Sequence, residues 1–94
     1  MAKESAAKIK RLVGRRISEV RRGQDLTQDA LAAKLNVSTQ WISQCENGHE
    51  NPSLEALVRF ANALGVKVVD LLADEPPDPS LPQRVKPKAR RPRG

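Results

Sequence analysis

The 94-residue sequence contains few aromatic residues, a single Cys and no apolar run long enough to cross a membrane. One Trp, one Phe and no Tyr disfavour nucleic-acid modules that stack single-stranded bases on aromatic side chains. A lone Cys cannot form an internal disulfide, and the N-terminus lacks the apolar core of a secretion signal. These absences predict a cytosolic protein that is not inserted into a membrane.

A catalytic or metal-binding constellation is also missing from the sequence. The only His, His49, has no acidic partner that the sequence can place, so no nucleophile and base are predicted. Cys45 and His49 are four residues apart, but Gly48 ends the helix between them and further ligands are not nearby. We therefore expect neither an enzyme nor a metal or cofactor site. Cys45 is interpreted as a small buried apolar residue.

Basic residues and prolines are abundant, and their distribution predicts a domain followed by a tail. Seventeen Lys and Arg against eleven Asp and Glu give a net charge of +6, which favours a polyanionic partner. Residues 74–94 hold six of the seven prolines and end in a basic stretch, so we predict a disordered basic tail after a domain at residues 1–73. The tail could contact phosphates or only confer solubility. The same alternatives apply to the basic residues near the N-terminus.

Five helices are predicted within residues 1–73. Apolar residues recur on one face of the first helix, which ends at Gly23. The second runs from a cap at Thr27 to about Leu35, and the third runs from a cap at Ser38 to Gly48. The fourth follows a cap at Ser53, ends at Gly65 and presents an apolar stripe comprising Leu54, Leu57, Phe60, Ala61 and Leu64. The fifth covers residues 66–73.

Two capped helices joined through Asn36 and Val37 are typical of a helix-turn-helix, whose second helix lies in the DNA major groove. If Ile42 faces inward, the helical period of about 100° per residue places Gln40 and Gln44 on the outward side. A Gln amide carries a donor and an acceptor that match adenine N6 and N7. The alternative interpretation is a solvated helix face without a binding role.

Residues 13–72 resemble the phage repressor and Cro type of helix-turn-helix, the XRE family. The resemblance is carried by "LTQDALAAKLNVSTQWISQCENG" and by "NPSLEALVRFANALGV". It implies an all-α, five-helix lambda-repressor-like domain that binds double-stranded DNA. Trp41 is interpreted as a half-buried packing residue, although insertion against DNA is an alternative.

The resemblance also implies roles for individual residues. Thr39, Gln40 and Gln44 would contact base edges. The residues expected to contact the sugar-phosphate backbone are Gln28, Ser38, Ser43 and Asn47. Gln28 would in addition brace Gln40. Arg21 would pair with Glu46, for which an ordinary surface pair is the alternative, and Val69 and Leu72 would contribute to a dimer interface.

Together these features favour a sequence-specific transcriptional regulator, a repressor that binds a palindromic operator as a homodimer. Restriction-modification controllers and antitoxins of the same fold would show the same sequence features. A transcription adaptor that chiefly binds other proteins is the alternative from another functional class. Any such protein partner is unknown from the sequence.

Overall fold

The computed structural model describes residues 5–73, which form five α-helices and contain no strand. This confirms the predicted all-α, five-helix architecture. Residues 1–4 and the predicted tail at residues 74–94 lie outside the described residues. The helices are α1 (Ala6–Gly23), α2 (Gln28–Leu35), α3 (Thr39–Glu46), α4 (Leu54–Leu64) and α5 (Val68–Leu72).

Hydroxyl side chains begin four of the five helices. The three predicted caps are confirmed: Thr27, Ser38 and Ser53 each accept a hydrogen bond from the backbone N–H three residues later. Ser5 does the same for α1 and was not predicted. Because each cap satisfies a backbone N–H that has no partner inside its helix, it fixes the residue at which the helix begins.

A residue with left-handed backbone conformation forms the turn between α2 and α3. Asn36 has φ 56° and ψ 48°, a conformation that Asn tolerates better than most side chains. The N–H of Val37 returns to the Ala32 carbonyl at 3.0 Å, which closes the end of α2. The Arg59 side chain on α4 donates to the Leu35 carbonyl and adds a contact from outside the turn. Three helices therefore hold this turn.

Each helix contributes one fully buried large side chain to a shared core. Those side chains are Ile17, Leu31, Ile42, Phe60 and Leu71. Trp41 stacks on Phe60 with ring centroids 5.6 Å apart and planes 14° from parallel. Trp41 is therefore a packing residue at the edge of the core, as interpreted from the sequence.

Two sequence predictions about the later helices are wrong in detail. Leu54 is 74% exposed, because it occupies the first position of α4 and lies at the edge of the apolar stripe, roughly 70° from its centre at about 100° per residue. The fifth helix is shorter than residues 66–73. Lys67 has extended backbone and its N–H donates to the Asp70 carboxylate at 2.9 Å, so α5 begins only at Val68.

Candidate nucleic-acid interface

The outward face of α3 carries the residues predicted to contact bases. Ile42 and Cys45 are buried in the core, and Gln40 on the opposite side of the helix is exposed. Thr39, Ser43 and Gln44 are half-buried. The structure thus gives α3 one apolar face toward the core and one polar face away from it. Hydroxyl and amide groups on that polar face can pair with base edges or with phosphates.

Neighbouring side chains engage three residues of this polar face. The Thr39 hydroxyl donates to the Asp29 carboxylate on α2 at 2.6 Å. His49 Nδ1 lies 3.2 Å from Gln44 Oε1, and the Asn47 amide lies 3.5 Å from the Ser43 hydroxyl. Asp29 and His49 were not predictable as part of this surface, because the periodicity of α3 carries no information about side chains outside it.

The end of α3 is fixed by a buried ion pair. Arg21 Nε lies 2.6 Å from Glu46 Oε2, and Arg21 Nη2 lies 3.0 Å from Glu46 Oε1. A third donor, Nη1, bonds the Leu26 carbonyl at 2.7 Å. The pKa of Arg21 is raised, chiefly by the hydrogen bond from its side chain to Glu46, which outweighs the opposing effect of burial. The side chains are only 10% and 5% exposed, so this is not an ordinary surface pair.

Gln28 has a different partner from the one expected. Its amide nitrogen donates to Glu46 Oε1 at 3.0 Å, so Gln28 braces Glu46 rather than Gln40. A carboxylate is a stronger acceptor than the neutral amide of another Gln, which accounts for the choice. Gln28 opens α2 and Ser38 caps α3. Both therefore lie at helix N-termini, where an approaching phosphate would also meet unpaired backbone N–H groups.

Close backbone contact between α1 and α3 places the polar face relative to the rest of the domain. A Cβ atom on Gly14 would lie 2.2 Å from the Cys45 carbonyl oxygen. Gly48 follows α3 with φ +78°, and a Cβ there would lie 2.9 Å from Arg11 Cα. Glycine is therefore required at Gly14 by space, and at Gly48 by both space and backbone conformation. The sequence predicts Gly48 as a helix end, whereas nothing in it indicates the requirement for glycine at Gly14.

The remaining predicted residues lie away from this face. Val69 and Leu72 on α5, the residues predicted to form a dimer interface, are 65% and 42% exposed. Cys45 is buried, and burial raises the pKa of its thiol to about 12. Within residues 5–73, no three His, Cys, Asp or Glu side chains gather in a metal-binding arrangement. No helix in that range is long and apolar enough to span a bilayer.

Comparison with known proteins identifies the family. A family model described as helix-turn-helix matches residues 17–71. The chain is 38% identical over 71 residues to the uncharacterized HTH-type transcriptional regulator y4dJ of Sinorhizobium fredii, which covers 73% of this chain and 92% of that protein. It is 40% identical over 63 residues to the immunity repressor protein of Bacillus phage phi105, which covers 67% of this chain but only 44% of that repressor.

A solved structure has the same fold. The restriction-modification controller protein C.AhdI from Aeromonas hydrophila matches with a TM-score of 0.64 and 28% identity, over 69% of this chain and 97% of that one. The match to the family model covers more than half of the chain and includes α2, the turn and α3. The resemblance to phage repressors noted in the sequence is therefore confirmed, and the chain belongs to the helix-turn-helix family of DNA-binding transcriptional regulators.

Proposed function

We propose that this protein is a repressor that binds a specific double-stranded DNA sequence as a homodimer. The observation that carries the proposal is the two-sided character of α3. Ile42 and Cys45 anchor one side in the core, while Gln40 and Gln44 present amides on the other. An amide that lies in the major groove can donate and accept at one base, which a solvated Lys or Glu cannot do.

The hydrogen bonds that anchor the end of α3 support a role in base contact. Glu46 receives hydrogen bonds from Arg21 on α1 and from Gln28 on α2, so three helices meet at the end of α3. A helix held in this way presents its side chains at fixed positions, which specific hydrogen bonding requires. Contacts from Gln28, Ser38, Ser43 and Asn47 to the sugar-phosphate backbone would then set the register of α3 in the groove.

Exposed apolar residues on α5 support the homodimer. Val69 and Leu72 would meet the same residues of a second copy across a two-fold axis. A two-fold dimer places its two α3 helices in successive major grooves, about 34 Å apart, so its operator is a palindrome with half-sites about one helical turn apart. Repression then needs only occupancy of a promoter. The similar phi105 protein is itself named an immunity repressor.

Selection of bound duplexes from a random pool tests the proposal. We expect enrichment of one palindromic site, and repression of a reporter when that site overlaps its promoter. Activation of the reporter would contradict the repressor role alone. If titration on random duplex at moderate salt equals titration on the selected site, sequence-specific binding is wrong and an adaptor function is favoured. The comparison must be made at one salt concentration, because phosphate contacts make every affinity salt-dependent.

A further inference from the structure

A hydrogen bond between α2 and α3 engages the hydroxyl group of Thr39, one of the residues predicted to contact a base. The Thr39 hydroxyl oxygen lies 2.6 Å from Asp29 Oδ1, within the range of a hydrogen bond from a hydroxyl to a carboxylate. Asp29 is the second residue of α2 and Thr39 is the first of α3. Both helix starts are fixed by hydroxyl caps, at Thr27 and Ser38, so the backbone on each side of the contact is held.

The direction of this hydrogen bond is fixed by its chemistry. An ionised carboxylate has no hydrogen and can only accept, whereas a hydroxyl has one hydrogen and two lone pairs. Thr39 must therefore donate to Asp29. Its single hydrogen is used inside the protein, and only lone pairs and the methyl group remain for a ligand.

We propose that Asp29 is a specificity-determining residue, which restricts Thr39 to accepting a hydrogen bond from an exocyclic amino group of DNA. The inference rests on the proposed function, since it requires α3 to lie in the major groove. There, adenine N6 and cytosine N4 are donors, whereas guanine O6 and thymine O4 are acceptors. A free hydroxyl could rotate to suit any of these groups. The hydroxyl of Thr39, held by Asp29, favours adenine or cytosine and opposes guanine or thymine.

The charge of Asp29 acts in the same direction. Asp29 is exposed beside Thr39, and its carboxylate has further lone pairs that no base acceptor can satisfy. A guanine O6 or thymine O4 at this position would face two acceptor groups together. Asp29 thus acts through Thr39 and through its own oxygens, and both effects select the same pair of bases.

Duplex selection with matched variants tests the inference. Thr39→Val keeps the shape of the side chain but removes the hydroxyl, so the operator position whose preference it changes is the position that Thr39 contacts. At that position we expect wild type to favour one base pair over its inverted form by about tenfold, the scale of one mismatched base. Affinity should fall by a similar factor when the exocyclic amino group of that pair is removed, for example with purine in place of adenine. Thr39→Ser should keep this preference. Asp29→Ala should reduce it to about twofold or less, because the released hydroxyl can donate as well as accept.

Glu55→Ala is the control for the loss of a negative charge. Glu55 is the second residue of α4, follows a Ser cap as Asp29 follows a Thr cap, and is exposed. Removing either carboxylate makes the protein one unit more positive and raises affinity for any duplex. Only Asp29→Ala should change the base preference at the position of Thr39. Thermal unfolding of both variants checks that each is folded during selection.

The outcomes separate the inference from the function on which it rests. If wild type enriches no sequence, the proposed function is wrong and the inference is wrong with it. If wild type enriches an operator but Asp29→Ala keeps the same preference, the inference is wrong and the function stands. Affinity that does not change when the exocyclic amino group of that base pair is removed, or no effect of Thr39→Val at any position, overturns the inference and leaves the function standing. Loss of affinity when uracil replaces the thymine of that pair would instead assign the preference to contact between methyl groups.

Discussion

Arg21 and Glu46 form a buried two-point ion pair that joins α1 to the last residue of α3. Two guanidinium nitrogens contact the two carboxylate oxygens at 2.6 Å and 3.0 Å. Two further hydrogen bonds surround the pair. Arg21 donates to the Leu26 carbonyl before α2, and the Gln28 amide on α2 donates to Glu46. The pair therefore connects three helices at the end of the helix that we propose enters DNA.

Breaking one side of this pair should destabilise the domain strongly. Glu46→Gln leaves the Arg21 guanidinium buried without a counter-charge, and we expect the free energy of unfolding to fall by about 3 kcal/mol or more. Urea unfolding measures the change. The control is Glu19→Gln, which removes the partner of Arg16 in a pair at 2.9 Å. The Glu19 side chain is 50% exposed, so solvent weakens this pair and the change in stability should be less than about 1 kcal/mol. Equal effects of the two substitutions would contradict the buried role of Glu46.

Two glycines of α1 should respond to alanine in opposite directions. Gly14→Ala places a Cβ 2.2 Å from the Cys45 carbonyl oxygen, so α1 and α3 must separate. We expect a loss of about 3 kcal/mol, near the upper end for overpacking. Gly23 has no atom within 4 Å of its would-be Cβ, and Gly23→Ala should stabilise by about 0.5 to 1 kcal/mol. Thermal unfolding of both variants tests these two predictions. An unchanged stability of Gly14→Ala would contradict the close contact between α1 and the Cys45 carbonyl.

The Cys45 thiol should be unreactive while the protein is folded. Burial raises its pKa from the ordinary 9.0 to about 12, so the reactive thiolate is suppressed at pH 9. Alkylation at that pH should be much slower in buffer than in unfolding concentrations of urea. Rapid alkylation of the folded protein would show that Cys45 is not held in the core.

The raised pKa of the Cys45 thiol predicts that the stability of the protein depends on pH. The folded state favours the neutral thiol over the thiolate. The contribution of the buried Cys45 thiol to stability is therefore fully present below pH 9 and is lost as the pH rises toward 12. The stability advantage of wild type over Cys45→Ala should therefore shrink in that window, by up to about 1.4 kcal/mol per pH unit. The difference between the two proteins isolates Cys45 from other groups that titrate there. A constant difference would contradict the assignment.

The sequence predicted the features that depend on local chemistry. Thr27, Ser38 and Ser53 were recognisable as caps because the preference of hydroxyls for helix N-termini is local. The buried position of Ile42 followed from the helical period. Features that depend on contact between distant segments were not predictable. The requirement for glycine at Gly14 arises from a carbonyl 31 positions away in the chain, and no pattern within α1 reports it.

In the candidate site, too, residues that depend on local periodicity were predictable, and contacts between helices were not. Gln40 and Gln44 follow from the period of α3, together with the direction in which Ile42 points. Asp29 could not be assigned to the site from the sequence, because its contact with Thr39 depends on the angle between α2 and α3. Gln28 was assigned the wrong partner for the same reason: its bond to Glu46 becomes visible only when both helices are placed.

Replacing the outward amides should weaken specific binding more than non-specific binding. Gln40→Ala and Gln44→Ala are each expected to weaken binding to the selected operator by about 1 to 3 kcal/mol, since each removes an amide that we propose contacts a base edge. Binding to random duplex should change little, because phosphate contacts remain. Asn62→Ala, which removes an exposed amide on α4, is the control and should change neither. Equal losses on both kinds of DNA would show that these glutamines do not contact bases.

Placing a charge on the exposed face of α5 should separate the proposed dimer without altering α3. Val69 is 65% exposed, so Val69→Asp should leave the fold intact while it disfavours burial against a second copy. We expect sedimentation to show a monomer. Affinity for the full palindrome should fall far more than affinity for an isolated half-site, because each protomer then binds without the gain from its linked partner. The titrations must use the same salt concentration for both duplexes.

Val58→Asp provides the matched control for this dimer prediction. Val58 is also apolar and 45% exposed, but it lies on α4, outside the pair Val69 and Leu72 to which we assign the interface. Its substitution should leave the dimer and the ratio of full-site to half-site affinity near the wild-type values. Loss of the dimer in Val58→Asp but not in Val69→Asp would move the interface to α4. A wild-type protein that stays monomeric while it saturates the palindrome at one copy per site would contradict the homodimer itself, since a two-fold operator is then not filled by a two-fold protein.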